Sequence, residues 1–243
     1  MNFEGKNAVF ELIGSNKTIE KICIQDKTTD QKLREIVSLA QDKHVKLEFI
    51  SKQALDKISE TGHHQGVIAV ATDFVYADLD GVVESKRKDG KRVLLVLLDN
   101  VVDPHNLGSI IRVCECAGVT AVVIPKNRSA VVNETVARIS AGALAHLPVC
   151  KVTNMAQTIK ELKAKNIWVY SADMDGTPMY ETDLSGDIAL IVGSEGFGVS
   201  PLIKKESDGV VSIPMFGKVN SLNASISAGI VVYEAVRQQL NKE

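Results

Sequence analysis

An acid set among glycines is the first residue in this chain to call for a chemical reason. Glu195 lies in the run GSEGFG, residues 193–198, directly after a short apolar stretch. Residues 187–192 read as a buried strand, so the loop opens at a strand's carboxyl end, where open α/β sheets bind ligands. Gly193 and Gly196 remove side chains from that loop, which permits positive φ and lets a flat ligand approach the main chain. This is not a phosphate loop: no Gly-Lys-Ser/Thr follows, and an acid stands where a phosphate requires a cation. A pair of tight turns explains the glycines equally well, and a helix cap or loop carboxylate explains Glu195. Spacing alone leaves these alternatives open.

A cation is available in an earlier stretch, DPHNLGSIIRVCECAG, residues 103–118. Pro104 and Asn106 suit a loop and helix entry, with Ile110, Val113 and Ala117 on the buried side. Arg112 comes one helical turn after Gly108. Helical side chains lean toward the amino end, so its guanidinium can pass over that bare position toward the Asn106 loop and charge a ligand-facing helix end. A plain surface arginine is the alternative. Ser221 and Asn223 flank the start of the last helix, where Ser221 as N-cap needs no ligand to explain it. The stripe Leu222, Ile226, Ile230, Tyr233, Val236 and Leu240 marks the face of this helix expected to pack inward.

The elements that must position these residues alternate. Residues 21–25, 46–50 and 67–71 read as strands and 30–43 and 53–59 as helices, which makes 1–73 a small α/β domain. Residues 74–92 are polar and carry Lys86, Arg87, Lys88, Lys91 and Arg92, the densest basic cluster; a solvated linker is expected, with an RNA-phosphate contact as the minority reading. A second domain, 93–243, opens on the buried strand VLLVLL. It continues with a helix after Pro104, strands at 121–125, 148–152 and 167–172, and helices at 133–146 and 155–165. A final strand at 210–214 precedes the last helix. Such alternation means a parallel sheet with helices on both faces.

Composition narrows the function classes. The 243 residues are 45% hydrophobic and 24% charged, and 28 Lys+Arg against 30 Asp+Glu leave no global basic signal. The amino-terminal stretch has no signal-peptide pattern and no segment stays apolar long enough to span a bilayer, so a cytoplasmic location without membrane contact is expected. Cys23, Cys114, Cys116 and Cys150 lack zinc or disulfide spacing; buried thiols and no metal are expected. His63 and His64 favour a polar turn over a metal pair. A dinucleotide-dependent oxidoreductase would need a G-x-G-x-x-G turn after the first strand of the second domain, and DPHNLG does not provide it.

Three blocks in order, DPHNLGSIIRVCECAG, IVGSEGFGVS and IPMFGKVNSLNAS, resemble the three signature motifs of the SPOUT methyltransferases, in the TrmH branch of RNA ribose 2′-O-methyltransferases. The leading segment, from GKNAVFELI to HHQGVIAV, resembles the small RNA-binding domain of the RlmB-type rRNA guanosine subgroup. The resemblance implies an α/β SPOUT domain with a mostly parallel sheet and a carboxyl-terminal trefoil knot, a departure from the rule against threaded chains. It implies S-adenosylmethionine as cofactor, structured RNA as substrate (rRNA first, tRNA as the alternative) and a homodimer. Carried over by position, Gly193, Gly196, Ile213, Met215 and Leu222 fall at cofactor-contacting places. Asn106, Arg112, Glu195, Ser221 and Asn223 fall at catalytic and substrate places. The rival without catalysis is an RNA-binding module built on the first domain.

Overall fold

The computed structural model describes residues 2–15, 17–72, 74–218 and 221–242. The chain divides into two compact units, Met1–Val75 and Tyr76–Glu243. Val219 and Asn220 of the third signature block lie outside the described residues.

The first unit runs β1 (Asn2–Glu4), α1 (Lys6–Gly14), β2 (Thr18–Gln25), α2 (Gln31–Asp42), β3 (Leu47–Ile50), α3 (Lys52–Ile58) and β4 (Val67–Thr72). Its sheet has the order β1-β4-β2-β3, with β2 and β3 parallel and β4 antiparallel to both its neighbours. Helix entries follow their caps: the Asp30 side chain accepts from Leu33 N and that of Ser51 from Ala54 N. Val9, Leu12 and Ile13 of α1 and Leu33, Ile36 and Ala40 of α2 form one core with Ile22 and Ile24. The adjacent histidines separate. His63 is exposed, whereas His64 is buried, its Nδ1 accepting from Gly66 N at 3.0 Å and its Nε2 lying 2.9 Å from Asp56 Oδ1. His64 thus sits in the expected polar turn, which Val67 N closes by donating to the His64 carbonyl at 2.9 Å. No cluster of three or more metal-ligating side chains exists among the described residues.

The second unit begins with α4 (Leu79–Lys88), which corrects the linker expected at 74–92. Asp78 caps this helix through Gly81 N at 2.8 Å, and the buried Val83 packs with Val93 and Ile167. The helix was concealed because its apolar period, Leu79, Val82 and Val83, lasts a single turn before a run of polar and charged residues. Two cations of the basic cluster, for which a phosphate contact was the minority reading, are also committed elsewhere. Arg87 pairs with Asp187 at 2.8 Å, and Arg92 donates to the carbonyls of Leu184, Gly186 and Ala235.

Beyond it come β5 (Leu94–Asp99), α5 (Pro104–Cys116), β6 (Ala121–Pro125), α6 (Glu134–Ile139), β7 (Val149–Val152), α7 (Met155–Ala164), β8 (Trp168–Pro178), β9 (Ile188–Gly193), α8 (Pro201–Glu206), β10 (Gly209–Ser212) and α9 (Ala224–Leu240). The sheet order is β10-β8-β9-β5-β6-β7 and every pairing is parallel. The helix expected over 133–146 stops at Ile139, where Ala141 and Gly142 take φ of 49° and 91°. Among the described residues no helix is long and apolar enough to cross a membrane.

The last helix turns the other way from the expected stripe. Ala224, Ala228, Val231, Val232 and Ala235 are buried, whereas Ile226, Tyr233 and Leu240 are 53%, 47% and 66% exposed. Both faces are apolar, so periodicity cannot choose between them; the small residues go inward because they let the helix backbone approach its neighbours.

Candidate active site

The carboxyl ends of β9 and β5 are neighbours, with Asp99 in register with Gly193. From this edge the Gly193–Gly198 loop closes on itself through Gly198 N donating to Ser194 O at 2.9 Å. The buried Asp99 carboxylate accepts from Ser200 N at 2.7 Å and so fixes where α8 begins. Gly193 is bare for a local reason: a Cβ there would lie 2.0 Å from the Gly198 carbonyl carbon. Gly198, at φ 62°, would bring a Cβ within 3.0 Å of Asp173 Oδ2. Gly196 differs, with a Cβ position that meets nothing within 4 Å and no left-handed φ. Its glycine leaves the loop rim open and answers no backbone demand.

Behind this loop is a cavity of about 710 Å³. Gly193, Glu195 and Gly196 form one wall, and Ile213, Met215, Ser221 and Leu222 from the segment between β10 and α9 form another. All five expected cofactor positions therefore line one space, with Glu195 and Ser221 beside them. Ser194 Oγ, also on this lining, is buried without a hydrogen-bond partner among the described residues. The main chain of Met215, Phe216 and Gly217 makes no hydrogen bond among the described residues either. Buried polar groups are normally satisfied, so the orphaned Ser194 Oγ suits a polar ligand, while the main chain of the exposed Met215–Gly217 segment is open to water or ligand alike.

Three polar residues from three separate blocks meet at the cavity rim. Glu195 Oε1 accepts from Asn106 Nδ2 at 3.1 Å, from Asn223 Nδ2, and from Ala224 N at 3.4 Å. Asn223 Nδ2 donates as well to Asn106 Oδ1 at 2.9 Å. The N-cap of α9 is Asn223, not Ser221: its Oδ1 accepts from Ser225 N at 2.9 Å and Ile226 N at 3.3 Å. Because two amide N–H groups claim the oxygen, the amide nitrogen must point at the carboxylate. A negative group at the amino end of α9 also gains from the helix dipole. Ser221 is exposed on the cavity lining, free of the capping role.

Arg112 stands apart. It is exposed on α5, forms no hydrogen bond or ion pair among the described residues, and does not line the cavity. The bare position expected to let it pass is filled: a Cβ on Gly108 would lie 2.8 Å from Ile139 Cβ and 3.2 Å from Val136 O. Gly108 serves the packing of α6 on α5.

Sequence reasoning missed a charged end of the cavity. Asp173, Lys204 and Lys205 line it, and Lys204 Nζ bridges Asp173 at 2.8 Å and Asp175 at 2.9 Å. Burial pulls the Lys204 ammonium down, but its hydrogen bonds to Asp173 and Asp175 outweigh that and hold its pKa above the ordinary value. The strand expected to end at residue 172 continues as β8 to Pro178, which hid Asp173 from view. The one legible signal was Gly198, the third glycine of the loop.

Comparison with known proteins gives a consistent picture. Residues 93–233 match the model of the SpoU rRNA methylase family, and residues 3–77 match a model described as RNA 2′-O ribose methyltransferase substrate binding. A protein of Staphylococcus haemolyticus with the provisional name of a TrmH family tRNA/rRNA methyltransferase is 41% identical, over 97% of this chain and 94% of its own. A Bacillus subtilis protein with the same kind of provisional name is 37% identical over the same shares. Among solved structures, a TrmH/SpoU tRNA modifying enzyme of A. aeolicus aligns with TM-score 0.57 and 31% identity, covering 66% of this chain and 86% of its own. The SpoU methyltransferase AviRb of Streptomyces viridochromogenes, crystallised with AdoMet, shares the fold at TM-score 0.62 and 24% identity, over 99% and 91% of the two chains.

Proposed function

Because this chain belongs to the SpoU rRNA methylase family, we propose that it methylates the 2′-hydroxyl of a guanosine in 23S rRNA, with tRNA guanosine as the alternative target. The observation that carries this reading is the meeting of Asn106, Glu195 and Asn223 at the rim of a cavity whose walls hold Gly193, Ile213, Met215 and Leu222. S-adenosylmethionine, the family's methyl donor, supplies an electrophilic methyl group on a sulfonium centre. The residues present fit it. The free main chain of Met215 and the orphaned Ser194 Oγ offer polar contacts, Ile213 and Leu222 offer apolar ones, and Gly193 and Gly196 leave the loop bare.

A ribose hydroxyl is a poor nucleophile until its proton leaves, and the alkoxide must be stabilised as it develops. A guanidinium keeps its proton in proteins, so Arg112 acts as a fixed cation that binds the neighbouring phosphate and stabilises that charge, while the proton leaves to water or a phosphate oxygen. Asn106, Glu195 and Asn223 hold one another and orient the nucleotide together with Ser221, which supplies rate by positioning. Arg112 is exposed and does not line its own cavity, which supports a composite site in which Arg112 of one copy serves the cavity of the other in a homodimer. The exposed Ile226 and Tyr233 on α9 provide apolar surface for such a contact. We read the carboxyl segment as knotted on the likeness of its second and third blocks to the SPOUT signature motifs.

The test is a deletion strain. Primer extension across 23S rRNA should lose one 2′-O-methylguanosine stop, restored by the wild-type chain and not by Asn106→Ala. Loss of the modified nucleoside from tRNA instead would select the alternative, and no change in either RNA would overturn the proposal.

A further inference from the structure

The first unit carries a second concavity, of about 250 Å³, far in sequence from the cofactor cavity. We propose that it is a subsite for one unpaired base of the RNA substrate, stacked on Phe49, with its phosphate held by Arg34 and Lys27; this rests on the reading of the chain as an RNA methyltransferase.

The geometry begins with β3. It lies at the edge of its sheet and pairs only with β2. Along a strand successive side chains alternate in face, so Leu47 and Phe49 share one face while Glu48 and Ile50 share the other. Leu47 packs into the core beneath α1 and α2, and Ile50 packs with Leu55 on the opposite side. Phe49 follows Leu47 on its face but is 57% exposed, leaving an aromatic ring in water that the fold does not use. Val37 of α2 lies across the pocket from it, and Gln25 and Thr28 complete the wall.

The charges around this ring are uncommitted. Lys6, Lys21 and Lys46 of the same unit are engaged by Asp30 and Glu48. Arg34 and Lys27, by contrast, form no ion pair among the described residues, and both are exposed at the pocket. Lys27 is held there at φ 52°, a backbone region that a lysine seldom occupies. The Thr28 hydroxyl accepts from Asp30 N at 3.3 Å and still has a proton to donate, and the side-chain amide of Gln25 makes no hydrogen bond among the described residues. An exposed ring flanked by free cations and two polar side chains is the arrangement that binds unpaired nucleotides, since every base has a face to stack and a phosphate to neutralise. A peptide ligand would have no use for two unpaired cations beside an aromatic ring unless it were itself anionic.

The full-length chain tests this with two labelled probes, a stem-loop RNA with an unpaired loop and a blunt duplex of equal length. Phe49→Ala should weaken the stem-loop by about 5- to 150-fold, the range of one base–aromatic stack, and leave the duplex unchanged. Phe49→Leu, which keeps apolar bulk, should weaken it similarly, whereas Phe49→Trp should retain binding. Arg34→Ala should lower the slope of log affinity against log salt by about one. S-adenosylmethionine affinity should be unchanged in all of them. Equal stem-loop affinity of wild type and Phe49→Ala would overturn the subsite while sparing the enzyme reading. Equal affinity together with a changed sedimentation mass would give the pocket to a second copy of the chain instead. A wild-type chain that bound neither RNA would overturn both readings.

Discussion

Replacing Gly193 by alanine puts a methyl group where the main chain of the same loop already lies. A Cβ built there is 2.0 Å from the Gly198 carbonyl carbon, 2.1 Å from its oxygen and 2.4 Å from Val199 N. Ordinary contact begins at 3.4 Å, so the opposing segment must recede by about 1.4 Å, the difference of 3.4 and 2.0. No side chain can rotate away to relieve this, because the obstacle is backbone. The segment is also tied, by Gly198 N to Ser194 O at 2.9 Å and by Ser200 N to Asp99 Oδ2 at 2.7 Å. Overpacking of this kind costs about 1–3 kcal/mol. In a unit of this size each kcal/mol lowers Tm by about 2–4 °C. Calorimetric titration should show S-adenosylmethionine binding weakened at least about tenfold, because the wall that bears Glu195 moves with the loop; this is the loss of about 1.4 kcal/mol of binding energy. Gly196→Ala is the control: with open space and no left-handed φ, it should stay within about 0.5 kcal/mol of the wild type in stability. Wild-type Tm and affinity in Gly193→Ala would refute the close passage of the two loop strands and the reasoning built on it.

Two further outcomes follow from other parts of the molecule. If Arg112 serves the cavity of a second copy, Arg112→Ala and Asn223→Ala chains, each inactive alone, should regain up to about a quarter of wild-type turnover when mixed and reassembled, because random pairing makes half the dimers mixed, each with one intact composite site; activity that stays at the level of the separate variants would place Arg112 with its own chain. In the first unit, hydrogen bonds from Lys21 and then Lys46 lower the Glu48 pKa from the ordinary 4.5 to about 2. A carboxyl depressed on folding contributes stability that is complete above about 4.5 and is lost as pH falls through about 2. Discounted for solvent screening, this is on the order of 1 kcal/mol. Urea unfolding of Glu48→Gln should therefore show a shallower loss of stability between pH 5 and pH 2 than the wild type, and parallel curves would remove the ion pairs from the account.

The alternation of strands and helices in the second unit was legible because buried parallel strands are short apolar runs that little else resembles. Helix α4 was not, since its apolar period, Leu79, Val82 and Val83, is one turn long among polar and charged residues, and β1 is only three residues long. The walls of the cavity were legible from two glycine-bearing loops at strand ends. The position of Arg112 was misjudged because a bare Gly108 looks the same in sequence whether a side chain crosses it or a helix packs on it, and only the fold brings Ile139 there. The third block shows why capping and ligand readings could not be separated by spacing. Capping and site chemistry were treated as alternatives for Ser221 and Asn223, yet in Asn223 the cap and the contacts to the other two blocks are one arrangement. Its oxygen is taken by Ser225 N and Ile226 N, and that fixes its nitrogen toward Glu195 and Asn106. Aspartate would cap α9 as well, but it would set a second carboxylate against Glu195 and have no N–H to donate to Asn106. Serine would cap it too, but its single hydroxyl has no amide nitrogen to reach the other two. Among good N-cap residues asparagine is therefore the one whose side chain also joins the three blocks, and its capping role is what orients its contacts to Glu195 and Asn106.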